Sequence, residues 1–110
     1  MGRKETVTRV IDGNTFRTAS RKNPVRLADV NAPEMGQYGG DAARRALREM
    51  IRGETVLIES VGRDRHGCSV AQVYKNEESV NQLMIESCRA EAEARAQKVA
   101  AAAAGEPEED

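Results

Sequence analysis

Apolar and polar residues alternate from Thr6 to Ser20, where Val7, Val10, Ile11 and Phe16 flank Asp12-Gly13-Asn14, and this pattern predicts two short strands joined as a hairpin. Arg21-Lys22-Asn23-Pro24 reads as a polar turn. Val25 to Val30 follows as a third strand, ended by Asn31-Ala32-Pro33-Glu34 because proline has no N–H to give a ladder. The period then changes: Ala43, Ala46, Leu47, Met50 and Ile51 recur at helical spacing behind Asp41, a helix-capping residue, and Gly53 closes that helix. Thr55 to Val61 and Cys68 to Tyr74 return to alternation on either side of the charged loop Gly62 to Gly67. Ser79 and Gln82 form a capping box ahead of Val80, Leu83, Met84 and Cys88, and the helix they open meets no stop before Gly105 and Pro107.

Five strands, a helix after the third and a long helix at the C-terminal end predict an α+β fold, a β-barrel with helices. The order is that of a five-stranded OB-type Greek-key barrel, although order alone leaves several folds open. The expected division is a barrel domain over residues 1–89, an Ala-rich helical extension over 90–104 and a disordered acidic tail over 105–110. Alanine offers little area to bury, so the extension is expected to project or to pack loosely. With 110 residues the chain supports one hydrophobic core. Its aromatic residues are Phe16, Tyr38 and Tyr74, so that core must be aliphatic.

Charge refines the picture without settling it. Residues 1–89 hold 15 Lys/Arg against 12 Asp/Glu, whereas residues 90–110 hold 2 against 6, so a mildly basic body carries an acidic end. A net charge of +3 on the body permits phosphate-backbone partners but does not identify them. No apolar run is long enough to span a bilayer, and no membrane partner is expected. The N-terminus lacks an apolar leader segment, and Cys68 and Cys88 make no disulfide framework; a cytoplasmic setting is expected for the chain as given, or a secreted one if a leader was removed.

The specific signal is a set of ordered motifs: Val10-Ile11-Asp12-Gly13-Asn14-Thr15-Phe16, then Val25 to Glu34, Tyr38-Gly39, Asp64-Arg65-His66-Gly67-Cys68, and Ser79-Val80-Asn81. Together they resemble the staphylococcal nuclease (thermonuclease) family over roughly residues 6 to 90. The resemblance implies a calcium-dependent phosphodiesterase of single-stranded DNA and RNA. It places two metal-binding aspartates at Asn14 and Asn31, a metal-binding backbone carbonyl at Ala32, a glutamate that activates or positions water at Glu34, and phosphate-contacting arginines at Arg26 and Cys68. Three of these five side-chain positions depart from the family pattern. An amide oxygen brings calcium no negative charge, so Ca²⁺ binding is expected to be weak or absent. A thiol at Cys68 does not replace an arginine that stabilises charge on the reacting phosphate. His66 takes the place of a stacking tyrosine, Arg63 and Arg65 are candidate phosphate contacts on the same loop, and the tyrosine-bearing segment after the second helix is missing.

Blander readings stand beside these. Asn14 is also a turn residue that tolerates left-handed geometry, and Asn31 a loop residue bonding its own backbone. Glu34 alone would be an exposed carboxylate and Arg26 a solvated strand residue. His66 and Cys68 lack a third ligand for a metal site. Cys88 reads as a small core residue, and Arg44, Arg45, Arg48 and Arg52 as the wet face of the first helix. Three functions follow: an impaired nuclease domain that binds single-stranded DNA or RNA weakly, an active metal-dependent endonuclease, and a protein-interaction module that uses the C-terminal helix. A monomer is expected.

Overall fold

The computed structural model describes residues 2–103, so the acidic end expected over 105–110 lies outside the described residues. The strands are β1 (Arg3–Asp12), β2 (Thr15–Thr18), β3 (Val25–Leu27), β4 (Thr55–Arg63), β5 (Ser69–Lys75) and β6 (Glu78–Ser79), and the helices are α1 (Gly40–Ile51) and α2 (Val80–Ala103). Their order in the sheet is β3-β2-β1-β4-β5-β6, and a parallel pairing of β3 with β5, Val25 opposite Ser69, closes the first five strands into a barrel. The barrel closes because β1 is long enough to serve two neighbours. Its first half pairs with β4, Arg3 opposite Ile58 to Thr6 opposite Thr55, and its second half pairs with β2, with irregular register after Val7 and after Val10 that lets the strand bend.

Inward positions alternate along each strand. Val7, Val10, Phe16, Val25, Leu27, Val56, Ile58, Ala71 and Val73 fill the barrel, and Leu47 and Ile51 of α1 with Val80 and Met84 of α2 seal one side of it. Phe16 is completely buried and is the largest side chain there, as the scarcity of aromatic residues implies. No helix among the described residues is long and apolar enough to cross a membrane.

Several boundaries differ from the sequence reading, each for a local reason. β3 stops at Leu27 rather than Val30, because Asp29 turns the chain with φ 63°. Asp41 does not cap α1: the helix begins at Gly40 behind Gly39, whose φ of 87° suits a residue without Cβ, and no side chain caps it. The capping box at α2 is half formed: Ser79 Oγ accepts from the Gln82 N–H at 3.0 Å, while the Gln82 amide donates to Glu86 instead. β6 was not expected; Asn76 and Glu77, both at positive φ, turn β5 back onto it. Arg44 is not simply on the wet face of α1, since its Nε donates to the Val10 carbonyl at 3.1 Å and ties the helix to β1.

One end of the barrel is plugged by an ion pair. Glu5 is buried; its Oε1 accepts from Thr18 Oγ1 at 2.7 Å and Ser20 Oγ at 3.0 Å, and Arg21 Nε and Nη2 reach its two oxygens at 2.8–2.9 Å. Arg21 Nη1 continues to Ser69 Oγ at 3.0 Å. Burial raises the Glu5 carboxyl, but the bonds from Thr18, Ser20 and Arg21 and the guanidinium charge together outweigh it, and the group sits below its ordinary value of 4.5. A carboxyl depressed by folding stabilises the fold above its unfolded value and loses that contribution as pH falls through the folded one. Glu5→Gln is therefore expected to lower stability by about 2 kcal/mol at neutral pH. In urea unfolding, the gap between wild type and variant should shrink as pH drops below 4.5 and the wild-type carboxyl protonates.

Candidate functional site

Beside the barrel, the β1–β2 turn, the segment after β3 and the β4–β5 hairpin meet at an open cleft of about 640 Å³. Asn14, Arg26, Asn31, Ala32, Glu34, His66 and Cys68 all line it, though they come from three separate stretches of sequence. Barrel closure makes this possible: pairing β3 with both β2 and β5 sets Arg26 opposite Thr15 on one side and Val70 on the other. Arg63 and Arg65 do not line the cleft. Both are exposed on the hairpin, and Arg63 Nη1 donates to the Gly67 carbonyl at 3.0 Å.

The β1–β2 turn lies against the segment that follows β3. A Cβ added to Gly13 would come within 2.6 Å of the methyl groups of both Ala32 and Ala43, so only glycine lets the turn dock this closely. Asn14 fastens the same junction. Its backbone N–H donates to Asp12 Oδ1 at 3.0 Å, its carbonyl accepts from Leu27 N–H at 2.8 Å, its Nδ2 donates to the Val30 carbonyl at 3.0 Å, and its Oδ1 accepts from Thr15 Oγ1 at 2.9 Å. Asn14 does not use left-handed geometry, because its φ is not among the positive ones. Its amide is a cross-brace between β1–β2 and the end of the third strand segment.

Glu34 and Asn31 are exposed in the cleft wall, whereas Ala32 is half-buried against the core. The turn carrying Glu34 is closed by Gln37 N–H donating to the Glu34 carbonyl at 3.0 Å, and that carbonyl abuts the start of α1. A Cβ on Gly40 would lie 2.2 Å from it, so the helix can begin here only with glycine.

The opposite wall is organised by Asp64, which sequence reasoning saw as part of a motif but did not name as a site residue. Its Oδ1 accepts from the backbone N–H groups of His66 at 2.9 Å and Cys68 at 3.0 Å, and its Oδ2 lies 3.9 Å from Arg26 Nη1. Desolvation raises the Asp64 carboxyl, yet the two N–H bonds and the nearby His66 and Arg26 charges hold it below the usual range. Desolvation, reinforced by the Asp64 charge, pushes the Cys68 thiol upward, so Cys68 is a neutral thiol near neutral pH. Ile11, Asp12, Thr15 and Met35 complete the lining and were also missed. Asp12 was legible in principle, since an aspartate two residues before Asn14 is the spacing of a side-chain-closed turn.

Ionised lining groups are thus the carboxylates Asp12, Glu34 and Asp64 and the cation Arg26. Asp12 and Asp64 spend oxygens on turn N–H groups, and among the described residues no group of three His, Cys, Asp or Glu is arranged to hold a metal ion.

Comparison with known proteins agrees with this architecture. The model of the staphylococcal nuclease homologue family matches residues 24–106. Protein ParB of Escherichia coli is 40% identical over 74 residues, covering 66% of this chain and 42% of its own length. An uncharacterized endonuclease of Haemophilus influenzae is 29% identical over 82 residues, covering 72% of this chain and 46% of its own. Micrococcal nuclease of Shigella flexneri is 36% identical over 70 residues, covering 62% and 40%. The chain spans about half the length, or less, of these relatives. With a barrel closed through β3, two helices in the expected places and a family match over most of its length, the chain belongs to the staphylococcal nuclease family.

Proposed function

We propose that this nuclease-family domain has strongly reduced or no metal-dependent cleavage and binds single-stranded DNA or RNA weakly through the cleft. The observation that carries the reading is the state of the Asn14 side chain, which donates to the Val30 carbonyl and accepts from Thr15 and so has both ends engaged by the fold. A carboxylate there would face the Val30 carbonyl oxygen at hydrogen-bond distance with no proton between them, an arrangement that needs a cation. The amide needs none.

The donor set does not fit calcium. Calcium affinity rises with the number of charged oxygens among its ligands, and Asn14, Asn31 and the Ala32 carbonyl offer only neutral ones. At an effective dielectric near 20, one charge about 4 Å from a divalent ion is worth several kcal/mol, so two missing carboxylates weaken binding by orders of magnitude. Cys68 adds a neutral thiol where a charged phosphate clamp is implied by the resemblance.

What remains suits binding better than cleavage. Arg26 offers a guanidinium to a phosphate but shares it with Asp64, and Arg63 and Arg65 add positive charge on the hairpin beside the cleft. Three carboxylates in the lining keep this attraction small. A labelled single strand followed by fluorescence anisotropy should show a dissociation constant of roughly 10⁻⁴ to 10⁻⁶ M that weakens steeply with salt, as phosphate contacts do. Arg26→Ala should weaken every sequence alike. Absence of binding at low salt, or binding indifferent to salt, would remove this reading.

The retention of Glu34 and Arg26 in one cleft favours a second reading, an active endonuclease working at high metal concentration. Calcium-dependent cleavage by the unaltered chain decides between the two.

A further inference from the structure

Tyr38 is 69% exposed, the most open large apolar or aromatic side chain among the described residues, in a chain that has three aromatic residues. Despite that exposure the ring is held. The Arg95 guanidinium carbon lies 4.9 Å from the ring centroid, and Arg95 Nη1 donates to the Tyr38 carbonyl at 3.5 Å. Arg95 is the one half-buried residue between Arg89 and Ala100 on α2, and what it reaches is Tyr38. A cation thus covers one face of the ring, and the exposure lies on the other.

The ring's position in the chain gives this a use. Met35, 43% exposed, stands in the wall of the cleft next to Glu34, and Tyr38 follows three residues later around the turn that Gln37 N–H closes onto the Glu34 carbonyl. An apolar side chain in the cleft wall and an open aromatic ring are therefore three residues apart on one short loop. Single-strand binders combine a charged track for the backbone with aromatic faces for the bases, because every base has a face to stack. Arg26 supplies the first element and Tyr38 the second.

We propose that Tyr38, backed by Arg95, is a base-stacking platform for a nucleotide of a single strand whose backbone passes through the cleft. This rests on the nucleic-acid-binding reading above. The Arg95 cation fixes the ring before the strand arrives, so little side-chain freedom remains to be lost on stacking, and its charge adds attraction for the strand's phosphates.

The test uses Tyr74→Phe as the background. The chain has no Trp and two Tyr, so Tyr38 is then the only tyrosine reporter. Oligothymidylate and an abasic strand of equal length are titrated at low salt. Oligothymidylate should quench the Tyr38 fluorescence and bind roughly 5- to 100-fold tighter than the abasic strand. Tyr38→Ala should bring oligothymidylate down to the abasic affinity while leaving the abasic affinity unchanged, and Tyr38→Phe should keep the preference. Equal affinity for the two strands without quenching would overturn the platform, as would a Tyr38→Ala loss shared by both strands, which marks a loop-holding role only. If neither strand binds at low salt, the nucleic-acid-binding reading itself fails and the platform with it.

Discussion

Introducing Asn14→Asp, Asn31→Asp and Cys68→Arg together should raise calcium-dependent hydrolysis of heat-denatured DNA by roughly 10³-fold or more over the unaltered chain. The arginine alone is worth roughly 10²- to 10³-fold if it reaches the charge that develops on the reacting phosphate. Its place is prepared, since the Cys68 N–H is already held by Asp64 Oδ1 at 3.0 Å and the side chain faces the cleft that Arg26 and Glu34 share. The two carboxylates act on a separate quantity, calcium affinity, and so multiply the gain below saturation. Asn14→Asp by itself carries a distinctive signature. It removes the bond to the Val30 carbonyl and sets two acceptors against each other, costing about 1–3 kcal/mol in the absence of a cation. Calcium should restore much of that loss in the triple variant, so its melting temperature should climb with calcium while the wild-type value stays flat. A folded triple variant that neither cuts nor gains stability from calcium would mean that the cleft is not a former metal site.

Asn81→Ala should be strongly destabilising although it removes no apolar core side chain. Asn81 is 3% exposed where α2 enters the barrel. Its Oδ1 accepts from Val73 N–H at 2.8 Å, and its Nδ2 donates to the carbonyls of Ala28 at 3.0 Å and Ala71 at 2.9 Å. One side chain thereby joins β5, the end of the third strand segment and the first turn of α2. After truncation the Ala71 carbonyl keeps the Ala28 N–H at 2.9 Å, but the Val73 N–H and the Ala28 carbonyl lose this partner. Two buried backbone groups at about 1–3 kcal/mol each give a loss near 4 kcal/mol. For a domain of this size that corresponds to a fall in melting temperature of roughly 15–30 °C by circular dichroism. Asn81→Asp should be no better, because it exchanges two donated bonds for a buried charge. A fall under 5 °C would show that the junction is held by apolar packing.

What was legible in the sequence is what rests on local pattern. The β1–β2 hairpin, α1, the β4–β5 hairpin and the start of α2 each carry their own spacing or turn residues, and the cleft residues Asn14, Arg26, Asn31, Glu34, His66 and Cys68 sit inside contiguous motifs. What was not legible depends on partners far along the chain. Arg3-Lys4-Glu5 looks like a solvated start, yet it is strand, because Glu5 finds Arg21 and Thr18 inside the barrel. Arg44 looks like surface until β1 lies beneath it. Asp64 and Asp12 read as ordinary turn aspartates; only the assembled cleft shows that each commits an oxygen to turn N–H groups while its carboxylate stays in the lining. The pairing of Tyr38 with Arg95, 57 residues apart, leaves no pattern that periodicity or spacing could reveal.

The most direct test of the central claim is hydrolysis of heat-denatured DNA and of RNA by the unaltered chain, with calcium raised from zero to tens of millimolar against a chelator control and with Glu34→Gln alongside. No difference is expected between calcium and chelator, and none between wild type and Glu34→Gln. Calcium-dependent cleavage that Glu34→Gln abolishes would contradict that expectation and establish an active nuclease built on neutral metal ligands.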